Sequence, residues 1–349
     1  MDEFIHSQHK INEILINFIK QKTETNKSHD LYEMLNYSIE GGKRLRPIIA
    51  MCISNFIILN KSRANEISNN LIIKEENEML NAIVVFVEFL HCVSLILDDL
   101  PCMDNDSMRR GKPTFHIKYG VKNAFVVGNF MISQVSGELM RQIVINKQLS
   151  SNMVHLMIKE MYDNNLLTSI GQIIDLENFN QVGTRFMIRM QAKISTNIFF
   201  SKMLKSYCKK HKMKYESTLK NLLWLNMKTF PLFYLSFLLP YLAFSKQEEV
   251  ITMTLYKIEH IAICFSIMFQ MSDDFEDYEN DKNTNKIDSH VKIFKYQQLK
   301  DMYKSCKTHF LDFSKDIFSS KNRPPQLFLH FVDLLNKKIE LYDNGTYSE

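Results

Sequence analysis

Chain-breaking residues are the scarcest resource in this sequence: nine glycines and seven prolines serve 349 residues. Strand-and-turn architectures place Gly and Pro at every corner, so all-β and doubly wound α/β folds are disfavoured. Apolar residues recur instead at helical spacing, as in Phe4, Ile11, Ile14, Leu15, Phe18 and Ile19. Similar patterns cover roughly 30–40, 44–60, 79–99, 121–147, 152–177, 184–204, 216–245, 248–280, 295–318 and 326–342. Polar stretches at 60–78, 146–152, 205–216, 279–292 and 314–325 read as loops or helix ends. With 45% apolar residues there is ample material for a core. The expectation is one all-α domain over residues 1–349, a bundle of about ten helices.

A net charge of +4, from 43 basic and 39 acidic residues, lacks the basic excess of a nucleic-acid surface. Six cysteines, with no CxxC pair, are scattered through apolar stretches and read as buried free thiols. The amino terminus has no apolar signal core and is not an Arg-rich transit sequence, so the expected compartment is the cytoplasm. Residues 79–97 approach membrane-spanning length. They contain Asn81, Glu88 and His91 and run into Asp98 and Asp99, charges that are costly in lipid. Residues 229–244 are apolar but short and carry Pro231 and Pro240. Both read as core helices, with no stable membrane span.

The most informative text is SLILDDLPCMDNDSMRRGKPTFH, residues 94–116. An apolar helical run ends in Asp98 and Asp99, and Pro101 limits its continuation. Asp104 and Asp106 follow, then Arg109, Arg110 and Lys112. Lys112 also reads as an ordinary solvated charge. A second cluster, FQMSDDFED at 269–277, ends another apolar run. Asp273 and Asp277 share a helix face, with Asp274 about 100° round, and like charges so spaced repel unless neutralised. Donors that are mainly carboxylate oxygens favour a hard cation over zinc. Mg²⁺ suits a few carboxylates together with phosphate oxygens, so two facing Asp clusters would hold Mg²⁺ bridging to a polyphosphate. Upstream, GGKRLRP at 41–47 sets three cations beside a Gly pair, which suits a phosphate anchor.

At these residues the sequence resembles the trans-isoprenyl diphosphate synthases of the polyprenyl synthetase family. GGKRLRP, DDLPCMDND with RRGKPT, GQIIDL at 171–176 and FQMSDDFED occur in the family's order, over about residues 30–280. The resemblance implies an all-α fold around a central cavity, with the two Asp motifs on facing walls. It implies head-to-tail condensation of isopentenyl diphosphate onto an allylic diphosphate, Mg²⁺ as cofactor, and a homodimer. By motif, Asp98, Asp99 and Asp104 bind Mg²⁺ and the allylic diphosphate from one side; Asp273, Asp274 and Asp277 do so from the other. Lys43, Arg46, His91 and Arg110 match isopentenyl diphosphate contacts, and Arg109 an allylic diphosphate contact. Gln172, Lys193 and Gln270 match polar positions near the allylic substrate. The expected catalytic set is Asp98, Asp104, Arg109, Lys193 and Asp273.

Several positions depart from the family pattern. Ile194 follows Lys193 where a Thr is usual, and no Gly-Lys follows the second Asp motif, though Lys282, Lys286 and Lys292 lie there. Leu97 stands where many members have His, and Asn129 where many have Asp. Chain length is a packing question on the helix before Asp98. Val93 and Ser94 leave room near the reacting carbon, and Phe89 and Phe86 lie one and two turns deeper as a floor. The expected product is C15 to C20, with C20, geranylgeranyl diphosphate, favoured. Rival readings are a non-catalytic partner subunit, which would have lost acids, and a terpene cyclase, which would carry an Asn/Ser/Glu metal motif in place of the second Asp cluster. A membrane-embedded prenyltransferase would need several clean spans.

Overall fold

The computed structural model describes residues 2–24, 29–63, 70–176, 194, 196–245, 252–276, 293–318 and 325–341. Among these are thirteen helices and one two-stranded hairpin. The all-α expectation holds. The chain divides into two compact units, Met1–Glu160 with Leu239–Gln247, and Met161–Leu238 with Glu248–Glu349.

The first unit contains α1 (Asp2–Glu24), α2 (His29–Ile39), α3 (Leu45–Arg63), α4 (Asn70–Asp98), α5 (Phe115–Tyr119), α6 (Val121–Ile145) and the start of α7 (Ser151–Leu176). Strands β1 (Met108–Arg109) and β2 (Lys112–Pro113) form the hairpin. Helix α4 is the hub, packed by α1, α2, α3 and α6. Its run from Ala82 to Leu90 is buried on all sides, as an apolar-all-round helix must be. Helix α6 turns Ala124, Val127, Met131, Val135 and Leu139 inward, and α1 contributes Ile11, Leu15 and Ile19. These stripes at spacings of three and four explain why the segments are helical and which face packs.

The second unit holds the rest of α7, α8 (Ile198–His211), α9 (Tyr215–Asn226), most of α10 (Phe230–Phe244), α11 (Thr252–Glu276), α12 (Tyr296–Phe318) and α13 (Gln326–Leu341). Helix α11 is its hub, against α8, α9, α12 and α13. Phe233, Phe237, Phe265, Phe310, Phe328 and Phe331 interlock there, mostly edge to face. Such rings bury large apolar areas in geometries favoured by the ring quadrupole.

Three helix expectations change. The apolar stretch 216–245 is two helices bent by 80°. Pro231, in the first turn of α10, has no amide hydrogen with which to extend the preceding helix, so that helix does not run on. Pro240, expected to break the stretch, lies inside α10. The polar residues 205–211, read as a loop, belong to α8. The Asn197 side chain caps that helix by accepting from the Phe200 amide, and left-handed Lys212 ends it. Helix α4 starts at Asn70, earlier than its apolar run. By length and composition Lys74–Asp98 would cross a membrane, but 72% of its most apolar window is buried inside the protein.

Candidate active site

In the first unit, α4 carries Glu88, His91 and Cys92 and stops at Asp98. The chain then doubles back: the Asp104 amide donates to the Asp98 carbonyl at 2.9 Å, and the Met103 amide to Leu100 at 2.9 Å. This turn brings Asp104 beside Asp98. The Asp98 and Asp99 side chains are buried, whereas Asp104 is exposed. The hairpin follows. Its two turn residues, Arg110 and Gly111, both have positive φ (53° and 75°), as a type I′ turn requires.

The hairpin returns Arg109 to the end of α4, where its Nε donates to Asp99 Oδ1 at 2.6 Å. Burial raises the Asp99 carboxyl above its ordinary range, and Arg109 opposes that shift. Arg109 is half-buried, which weakens its hold on the proton, but bonding to Asp99 and the charges of Asp106 and Asp98 more than offset this. Lys112 is no free surface charge: it donates to Glu40 Oε2 at 2.7 Å and to the Tyr37 carbonyl at 3.0 Å. Asp99, Arg109, Arg110 and Lys112 line one cleft with Tyr37 and Cys92.

Arg110 also reaches the other side of that cleft, donating to the Glu40 carbonyl at 3.3 Å beside the GGKRLRP turn. Not all three cations of this turn face outward. Lys43 is exposed and Arg46 is buried. Arg44 points inward, donating to Glu88 Oε1 at 2.6 Å, Asn12 Oδ1 at 2.9 Å and the Ile39 carbonyl. The turn depends on Gly42: a Cβ there would lie 2.5 Å from Arg44 Nη1. His91, one helical turn beyond Glu88, is held well below the ordinary imidazole range, first by burial and then by Arg46, Arg110, Arg109 and Arg44. The expected phosphate contacts Arg46, His91, Arg109 and Arg110 therefore share one electropositive neighbourhood, with the imidazole neutral.

In the second unit, Asp273 and Asp274 occupy the last turn of α11. Asp273 Oδ1 accepts from Lys338 Nζ of α13 at 2.6 Å. Asp274, 7% exposed, accepts from Gln270 Nε2 at 3.1 Å, and Gln270 Oε1 accepts from Thr229 at 3.0 Å. Helix α7 touches the turn that carries Thr229. A Cβ on Gly171 would lie 2.7 Å from the Lys228 nitrogen, so only glycine permits this approach. The next residue, Gln172, has its Nε2 buried without a hydrogen-bond partner. Lys193, Asp277, Lys282, Lys286 and Lys292 lie outside the described residues. Ile194 is buried, and Asn129 is exposed with its amide on the Phe125 carbonyl at 3.1 Å.

The chain-length residues line α4. Phe86, Phe89 and Val93 are buried, and Phe89 meets Phe18 of α1 edge to face at 5.5 Å. Val93 packs over Gly128 of α6. Ser94, half-buried, donates to the His91 carbonyl at 2.8 Å. Five cysteines are buried as expected, but Cys102 is exposed on the turn after Asp99.

Sequence reasoning counted Arg44 among the phosphate-anchor cations, where the structure turns it in to Glu88, and missed Glu88 and Lys338 as parts of these clusters. Glu88 was legible as an acid stranded in an apolar helix. Lys338 gave no signal, being one lysine on an amphipathic helix.

The acid clusters offer mainly carboxylate oxygens, with no His and with Cys102 alone among the first, a donor chemistry that fits Mg²⁺ better than zinc. Among the described residues, no three His, Cys, Asp or Glu side chains gather on one point. Asp99 is engaged by Arg109 and Asp273 by Lys338.

The fold is that of known prenyl-transferring enzymes. A crystal structure of geranyltransferase from Legionella pneumophila superposes with a TM-score of 0.65 at 20% identity, over 97% of this chain and 99% of that one. The profile of the Polyprenyl synthetase family matches residues 28–290, and the chain belongs to that family. A chloroplastic geranylgeranyl pyrophosphate synthase of Capsicum annuum is 39% identical over 106 residues, 30% of this chain and 24% of that protein. A farnesyl diphosphate synthase of Bacillus subtilis is 31% identical over 156 residues, 43% of this chain and 46% of that protein. The chain thus matches under half the length of these curated relatives.

Proposed function

We propose that the protein is a short-chain trans-prenyl diphosphate synthase, joining isopentenyl diphosphate to an allylic diphosphate. The observation that carries this reading is the one cleft lined by Asp99, Arg109, Arg110 and Lys112, beside the doubled-back Asp98–Asp104 turn. Membership of the polyprenyl synthetase family supports it.

In this reading the allylic C–O bond breaks with its electron pair leaving on the diphosphate oxygen. Arg109, held by Asp99, opposes the charge that develops there. Asp98 and Asp104 in the first unit, and Asp273 in the second, would hold Mg²⁺, which would supply further neutralisation of the diphosphate. Lys43, Arg46, Arg110 and the neutral His91 hold isopentenyl diphosphate so that its double bond meets the allyl cation. Apolar walls keep water from the cation. The new C–C bond leaves a tertiary cation, which loses a proton to the departed diphosphate and becomes an alkene. Asp274, which accepts from Gln270, and Thr229, which donates to Gln270, order the second motif.

The proposed product is C20, because the smaller Val93 and Ser94 precede the Phe89 and Phe86 floor. Relatives named for C15 and for C20 products both occur, so C15 is the alternative. We propose a homodimeric, cytoplasmic enzyme.

The test is incubation of purified protein with Mg²⁺, isopentenyl diphosphate and each of three allylic diphosphates, followed by chromatography of the products. Chain extension with diphosphate release is expected, ending at C20. Cyclic hydrocarbon from an allylic substrate alone would overturn the reading. So would activity that appears only with a second, different subunit.

A further inference from the structure

Asp273 and Asp274 pose an electrostatic problem. Two carboxylates stand in the last turn of α11, where the helix dipole already presents its negative end. The protein answers with a cation from another helix. Lys338 Nζ lies 2.6 Å from Asp273 Oδ1, and the lysine and aspartate side chains are 17% and 33% exposed.

The delivery is specific. Helix α13 is anchored on α11 and α12 by Phe328 and Phe331, which pack on Phe310 and Phe265. Lys338 emerges two turns beyond Phe331. Its contact is a single point charge on a flexible four-carbon stem, whereas an arginine would bind a carboxylate as a two-pronged fork. The pair is also partly open to water, where an ion pair contributes little and exchanges readily.

The geometry points to Lys338 as the displaceable counter-ion of the second acid motif. It holds Asp273 while no divalent cation is bound, competes with that cation for the carboxylate, and turns to the phosphate oxygens when cation and diphosphate arrive together. This inference rests on the reading that Asp273 is a cation-binding carboxylate. In it, the cation binds weakly by itself and firmly only with diphosphate, because only then does the displaced ammonium gain a new anion.

The test is Mn²⁺ binding, read as loss of the free-ion EPR signal at low ionic strength. Wild-type protein, Lys338→Met, Lys338→Gln and Asp273→Asn are compared with and without inorganic diphosphate, and folding is checked by far-ultraviolet circular dichroism. Without diphosphate, both Lys338 variants are expected to bind Mn²⁺ about two- to fivefold more tightly, as fits removal of one partly exposed competing charge. With diphosphate, the advantage is expected to vanish or reverse. Unchanged or weakened Mn²⁺ binding in both Lys338 variants, with Asp273→Asn impaired, would overturn the counter-ion role alone. Equal binding by wild type and Asp273→Asn would overturn the metal reading of Asp273, and this inference with it.

Discussion

Arg44 and Glu88 form a buried ion pair at 2.6 Å, with side chains 4% and 2% exposed. It joins the turn before α3 to the middle of α4, one helical turn from His91. The pair takes one cation out of the GGKRLRP group and ties that turn to α4. Arg44 itself has positive φ, 58°, a conformation that the three hydrogen bonds of its guanidinium group help to retain.

Breaking this pair from one side should be costly. Arg44→Met or Glu88→Gln is expected to lose about 3–5 kcal/mol of folding stability, because the remaining partner stays buried and uncompensated. Urea denaturation of each single variant and of Arg44→Met/Glu88→Leu measures it. The double variant should lose less than the two single losses together; full additivity would show that the side chains act independently.

Turnover should depend on Arg109 and the acids without the fold depending on them. Arg109→Gln, Asp98→Ala and Asp273→Ala are each expected to lower kcat about a hundredfold or more, the scale seen when a group stabilising transition-state charge is removed. Steady-state kinetics read this, and the helical circular dichroism spectrum should persist. Retained turnover in Asp98→Ala would reject its proposed metal role.

Phe89→Ala opens space beneath Val93. The expected product is longer than the wild-type one, detected by reversed-phase chromatography of the dephosphorylated prenols. The same change removes a ring that is 1% exposed and packed on Phe18, so a loss of about 3–5 kcal/mol in stability accompanies it. Unchanged chain length in folded protein would remove Phe89 as the floor.

Acid should weaken the second unit through His260. Its Nε2 lies 2.9 Å from His309 Nδ1, and burial, then His309, lowers its pKa to about 3. An unfolded histidine titrates near pH 6.5, so between those values the unfolded chain holds the extra proton. Stability therefore falls as pH drops from about 6.5 towards 3, with a slope from this group of up to about 1.4 kcal/mol per pH unit. Denaturation at pH 7 and pH 5 should show a smaller difference in His260→Asn than in wild type.

The helices were largely legible before any coordinates. Periodic apolar positions such as Ile11, Leu15 and Ile19 mark a buried face wherever they occur, and few glycines interrupt them. The end of α4 was legible too, since Asp98, Asp99 and Pro101 are local stop signals. Less legible was the break after Asn226, where apolar stretches lie on both sides of the short polar Lys228-Thr229 and only Pro231 marks the corner. The polar end of α8 was likewise hidden, because a cap at Asn197 and packing on α11 outweigh local polarity.

Sequence by itself determined the all-α class, the order of the motifs and the kind of chemistry their donors permit, since composition, periodicity and residue type are properties of short stretches. Tertiary structure decided which charge meets which: Arg44 turning in to Glu88, Arg109 to Asp99, Lys338 to Asp273. An ion pair leaves no periodic mark on the chain. Its partners are chosen by how helices pack, and that packing brings together residues as far apart in the chain as those of α11 and α13.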